Sequence, residues 1–392
     1  MPYSDRLHRH CCEAAREGRP ALYDRLNLIA EKGEARFGRW GWVLLLVFVL
    51  MLAASLYVRP GTNYIGHGVS FEALSRNPLD LRHGNILGYR IMTPLVAYLI
   101  GLRGKPFILL NLFFAAVTIG AVYRYFRASV GRAGDALFGA LCITFSTVVL
   151  VTIYYAGFCD ALTYLAIFLA WRWRGRPALF YPVFLIGILN HEGVLFTLPW
   201  FAYLKMIESP RKSVGLLEML IGFGVTMAAY AVFRSWLSGA QDVGLSATAY
   251  LRPIFNDPLA IIKHAYQYYW LGLFTVFKAL WIFPVAAAIA MWKDRQKSQV
   301  IGMVLLMLCA ASQLFLAYDT TRMLTLGFMV LIISLEYLFR TNAYGFRQWA
   351  PWVFLFNFFV PQLFTAATII EIMHSTPSNL LRMIMEHGPW WV

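Results

Sequence analysis

Four places in the chain set ionisable side chains beside long apolar runs, where a charge is costly unless it is paired or put to use. The first is the stretch Arg59–Lys105, which carries His67, Glu72, Asp80, Arg82, His83 and Arg90 directly after the first apolar run. Asn77-Pro78-Leu79-Asp80 reads as a turn that holds Asp80 just ahead of a short apolar segment. A carboxylate at the edge of a partly dehydrated cleft suits general-base work, so Asp80 is the favoured base with Glu72 beside it. An exposed loop acid or a helix cap is the plainer reading of either. The second place is Cys159-Asp160-Ala161-Leu162, where Asp160 is a third candidate catalytic carboxylate or simply caps the helix it begins.

The third place is His191-Glu192, between two short apolar runs. Substrate binding, metal ligation and an ion pair with an arginine are all open there, but a lone His-Glu lacks the spacing of a hydrolytic zinc helix. The fourth is Tyr318-Asp319-Thr320-Thr321-Arg322. Arginine suits bidentate binding of phosphate, and Asp319 would orient Arg322; a local ion pair at the end of a span is the alternative. Arg90, Arg252, Lys263 and Lys278 are further phosphate-binding candidates, although Lys278 lies eight residues into an apolar run and could snorkel to the headgroups.

The elements that must position these residues follow from composition. Of the 392 residues 59% are hydrophobic and only 14% charged, whereas a soluble domain carries about 25% charged residues. The expected class is an all-α polytopic membrane protein. A net charge of +14 invites thoughts of nucleic acid, but the basic residues sit between apolar runs, as a positive-inside signal does, and no nucleic-acid partner is expected. Cys11, Cys12, Cys142, Cys159 and Cys309 show neither a disulfide framework nor a thiolate metal pattern. The first forty residues are too polar for a cleavable signal peptide.

Hydropathy divides the chain into a cytoplasmic N-terminal segment (1–39), a transmembrane domain (40–373) with an outer loop (59–105), and an outer C-terminal tail (374–392). Ala21–Glu34 reads as an amphipathic helix on the inner leaflet, with Leu22, Leu26 and Ile29 at helical spacing. Eleven spans are expected, beginning with Trp40–Val58. The others are Pro106–Tyr123, Asp135–Tyr154, Asp160–Trp171, Pro177–Asn190, Val194–Leu204, Gly215–Trp236, Trp270–Trp292, Gln299–Ala317, Met323–Phe339 and Trp349–Met373. Pro199, Pro284 and Pro361 are expected to kink theirs. Ile91–Leu102 is too short to cross and reads as a surface helix. With it outside the count, 22 of the 34 Lys and Arg fall on the cytoplasmic side. All four acidic places then lie on the outer side, several of them on turns between helices too short to reach the bilayer surface.

With those residues in place, the chain resembles the GT-C class of membrane glycosyltransferases. The resemblance is carried by Tyr89-Arg90-Ile91-Met92-Thr93-Pro94-Leu95, by Cys159-Asp160-Ala161-Leu162 and by Asn190-His191-Glu192-Gly193, and covers roughly Trp40–Trp200. It implies an outer loop with two membrane-surface helices and transfer of a sugar from a polyprenyl-phosphate donor to a hydroxyl on a lipid, glycan or protein acceptor. It also implies a bacterial inner membrane with a periplasmic active site, and inverting attack assisted by a carboxylate base. No cofactor is fixed by it; a divalent metal is the one candidate. The class carries its base early in the loop, where this chain reads Gly61-Thr62-Asn63-Tyr64, so the role falls to Glu72 or Asp80 or is lost. A transporter or flippase for a lipid-linked or anionic substrate, and a catalytically silent protein of this fold, are the competing expectations.

Overall fold

In the first apolar run Leu46, Leu50 and Ala54 are buried while Leu44, Phe48, Leu52 and Leu56 are all more than half exposed. These are two stripes at i, i+4 spacing on opposite sides of one helix, one facing protein and one facing lipid. The helix is α1 (Leu22–Tyr57) in a computed structural model that describes residues 22–58, 67–79, 89–209, 212–239, 260–315, 317, 319–366 and 369–373. It breaks at Gly38, whose φ of 69° lies in the left-handed region that a Cβ disfavours. The break separates the expected amphipathic helix from the expected first span.

Two short helices follow in the first loop, α2 (His67–Arg76) and α3 (Met92–Leu99), packed on each other ahead of α4 (Phe107–Ser129). Next come α5 (Ala133–Thr144) and α6 (Thr147–Tyr154), bent 45° from one another. A helical hairpin of α7 (Asp160–Arg172) and α8 (Pro177–Asn190) leads through a 3-10 turn, Glu192–Thr197, into α9 (Leu198–Glu208) and α10 (Lys212–Gly239). Then α11 (Ala260–Phe277), a 3-10 turn (Lys278–Trp281) and α12 (Ile282–Lys293) continue along one path to α13 (Lys297–Ser312). The chain ends its described part with α14 (Thr320–Thr325), α15 (Met329–Thr341), α16 (Phe346–Phe359) and a β-hairpin of β1 (Leu363–Ala366) and β2 (Ile369–Ile372), Phe364 opposite Glu371.

Among the described residues six helical stretches are long and apolar enough to cross a bilayer, seven if the bent α5–α6 pair is one span. This is an integral membrane protein. The other expected spans are too short to cross alone: α7, α8, α9 and α16 hold 13, 14, 11 and 14 residues. The last of them also changes character. Instead of running helical over Trp349–Met373, the chain leaves α16 at Phe359, and Pro361 opens the way into the hairpin rather than kinking a helix. Pro199 and Pro284 likewise sit in the first turns of α9 and α12, where a missing N–H costs nothing.

Lipid does not drive helices together as water does, so packing and polar contacts must fix their register. α6 is buried throughout and α7 nearly so, apolar on every side, which makes them the centre of the bundle. At the end that holds the start of α1, polar groups clamp the helices. Asp135, fully buried, takes two hydrogen bonds from Arg347, at 3.0 and 2.7 Å, and one from the Tyr23 hydroxyl. Arg127 binds Glu34 through Nε and Nη2, and Tyr123 donates to the same carboxylate at 2.9 Å. Removing one partner of a buried pair strands the other charge, at a cost of about 3–5 kcal/mol. Asp135→Ala and Arg347→Ala are each expected to lower the thermal unfolding midpoint in detergent markedly. The double variant is expected to lose much less than the sum of the two.

Candidate functional site

α7 and α14 both begin at the opposite end of the bundle, and each brings one half of a buried ion pair. Arg322 Nε donates to Asp160 Oδ2 at 2.6 Å and Nη2 to Oδ1 at 2.8 Å, while Nη1 reaches Asp319 Oδ2 at 2.6 Å. Arg322 and Asp160 are 3% and 4% exposed, but the Asp319 side chain is 26% exposed. The guanidinium also lies 4.3 Å from the ring centroid of Phe158. A planar fork with both carboxylate oxygens engaged and an aromatic face beneath it suits arginine and would not suit lysine.

Ahead of α3, Arg90 makes a second bidentate pair, Nε to Glu192 Oε2 at 2.9 Å and Nη2 to Oε1 at 2.6 Å. Asn190 joins the two pairs. Its Oδ1 accepts from the backbone N and the hydroxyl of Thr93, at 3.1 and 2.5 Å. Its Nδ2 donates to the Cys159 carbonyl at 2.6 Å and to Thr163 Oγ1 at 2.9 Å. One amide thus ties α3, α7 and α8 together immediately beside Asp160. His191 is buried, and its Nδ1 accepts from the Gly193 N–H at 3.0 Å, which places the neutral ring's proton on Nε2. That Nε2 and both polar atoms of the Gln313 side chain are buried without a hydrogen-bond partner among the described residues.

The β-hairpin closes over the same end. Thr365 N donates to Thr321 Oγ1 at 2.9 Å, Gln362 Nε2 donates to the Thr275 carbonyl at 3.1 Å, and the Tyr155 hydroxyl donates to Glu371. Tyr155 in turn stacks on Phe158, with centroids 5.0 Å apart, and so on the ring that carries Arg322. Gly272 lets α11 cross close by, since a Cβ there would fall 2.3 Å from Thr320 Cγ2.

No family model, curated protein or solved structure matches this chain.

Of the residues singled out by sequence, Asp160, Asp319 and Arg322 are in direct contact, as are Arg90 and Glu192, with His191 adjoining. They meet as ion pairs, with both oxygens of Asp160 bound to Arg322 and with the Glu192 and Asp319 side chains part exposed. Glu72 stays apart, bonded to Arg76 at 2.8 Å on the same helix. Asp80 lies outside the described residues. Lys278 does not snorkel: it is 1% exposed, and its Nζ donates to the Val360 carbonyl at 3.0 Å and lies 3.4 Å from the Tyr57 hydroxyl. It therefore pins the α11–α12 break to the ends of α1 and α16. Among the described residues no three of His, Cys, Asp and Glu gather as metal ligands.

Tyr155, Thr365 and Glu371 carry no local signal of their part, because each acts through a partner distant in sequence; Asn190 and Thr321 lie in stretches the sequence singles out, but their partners are distant too. Asn190→Ala leaves a buried carbonyl and a buried N–H unpaired, at about 1–3 kcal/mol each. The expected result is a lower unfolding midpoint. At the same time the rate at which a membrane-permeant maleimide labels the buried Cys159, followed by peptide mass spectrometry, is expected to rise at least about tenfold.

Proposed function

We propose that the chain is a GT-C-type membrane glycosyltransferase that moves a sugar from a polyprenyl-phosphate donor to a hydroxyl acceptor. The observation that best supports this reading is the gathering of Arg322, Asp160, Asp319, Arg90 and Glu192 at one end of a membrane bundle, against the loop that holds α2 and α3. In this reaction the acceptor oxygen attacks the anomeric carbon and its proton passes to a carboxylate. The bond from that carbon to the phosphate oxygen breaks, and polyprenyl phosphate leaves with the electron pair.

The geometry favours a division of roles. Asp160 is a positioning residue for Arg322, since both of its oxygens are bound. Asp319 uses one oxygen on Arg322 and is part exposed, so it joins Asp80 as a candidate base. Arg90 and Arg322 supply the positive charge that would meet the donor phosphate. The donor tail would lie between spans, and a periplasmic setting in a bacterial inner membrane goes with the same reading.

Protein in nanodiscs, given polyprenyl-phosphate hexoses and pentoses with labelled sugars and lipid, glycan or peptide acceptors, is expected to form labelled product. Asn at the residue that acts as base, Asp80 or Asp319, is expected to lower turnover at least about 100-fold, while Glu72→Gln stays within about twofold. Full turnover in both Asn variants would remove the base assignment. Movement of intact donor between leaflets, with no product formed, would replace transfer by transport.

A further inference from the structure

The end of the bundle opposite the ion pairs of Asp160 and Glu192 holds a cavity of about 610 Å³. It is lined by the C-terminal parts of α4, α7 and α15 and the N-terminal turn of α13, and is open to the outside on one side. That volume is in the range of small-ligand sites, roughly 300–1,000 Å³. Its charged lining is Arg172, Arg174, Arg340 and Glu336, an excess of two positive charges. Neutral hydrogen-bonding groups share the lining, among them the amides of Gln296 and Gln299.

The three arginines differ in how far they are committed. Arg174 is held by Glu208, with Nε 2.8 Å from both carboxylate oxygens, and by the Trp171 carbonyl at 2.8 Å. Arg340 makes one pair, to Glu336 at 2.7 Å, and its side chain stays 56% exposed. Glu336 is itself occupied further by the Tyr125 hydroxyl. Arg172 has no carboxylate partner among the described residues; it is exposed, with its guanidinium 5.8 Å from the Tyr125 ring centroid. A free guanidinium, a second that is half free, and neutral donors on the facing wall match a tetrahedral anion with several acceptor oxygens.

We propose that this cavity is a binding site for a phosphate-bearing ligand, gripped by Arg172 and Arg340 with the two glutamines completing its hydrogen bonds. Two sources share that chemistry, the headgroup of an anionic phospholipid and a free phosphorylated solute. The site is independent of sugar transfer and needs no donor substrate to be tested.

The test uses the full chain in two arms. In the first, native mass spectrometry counts phosphatidylglycerol against phosphatidylcholine retained by the protein. In the second, the thermal midpoint is followed while inorganic pyrophosphate or ADP is titrated at constant ionic strength. At least one arm is expected to show saturable binding, the first pointing to lipid and the second to a solute. Arg172→Gln combined with Arg340→Gln is expected to weaken that binding at least about tenfold. Arg124→Gln, at the same end but stacked on Trp40 and outside the cavity, is expected to leave it unchanged. No saturable binding in either arm, or binding that the double variant retains, overturns the proposal.

Discussion

The guanidinium of Arg322 has almost no water to turn to, and that constraint organises its end of the molecule. A buried cation is tolerable only when its donors are met, and here they are met by two carboxylates and an aromatic face. Because Asp160 stands at the first position of α7 and Arg322 in the first turns of the Thr320–Thr341 stretch, sliding either element would strand both charges. The hairpin that follows α16 is registered on the same centre, through Thr365 on Thr321 and through Glu371, Tyr155 and Phe158 in series. One ion pair thus sets the alignment of four parts of the chain.

The other end uses the same device with different partners. Asp135 with Arg347 and Tyr23, and Glu34 with Arg127 and Tyr123, each bind α1 to a distant helix, so both ends of the span-forming helices are clamped by charge. Beside this clamp the contacts are apolar and aromatic, as where Phe138 meets Phe283, Phe339 and Phe346 edge to face or tilted. In a lipid environment that division makes sense. Apolar packing alone discriminates poorly between neighbouring registers, whereas a displaced ion pair does so strongly.

Periodicity made the helices legible, including the brief ones at Asp160 and Pro177 and the division of the first helix near residue 38, because each depends on its own residues. What the sequence could not disclose was pairing. Nothing near Asp160 announces a partner 162 positions away, so a carboxylate at a helix start looked available for catalysis when it is occupied. Lys278 looked like an interfacial side chain for the same reason; its acceptor is a carbonyl 82 residues on. The hairpin was hidden by composition, since Leu363–Ile372 is as apolar as a span. Pro361-Gln362 and the β-branched Thr365, Thr368, Ile369, Ile370 and Ile372 mark the change.

How an ion-paired centre could still engage a substrate follows from the inequality of Arg322's two partners. Asp160 gives two bonds from full burial; Asp319 gives one and reaches the surface. An incoming phosphate could exchange with Asp319 at Nη1 at modest cost, trading one charge-assisted bond for another. Exchange with Asp160 would leave a carboxylate stranded among buried groups. The guanidinium would therefore stay anchored on its inner edge and present its outer edge, and the displaced Asp319 would be released as an anion beside the bound phosphate. Under the proposed reaction that is where a base must stand, so the triad's arrangement in the resting protein, with one negative charge left over on its exposed member, suits proton acceptance.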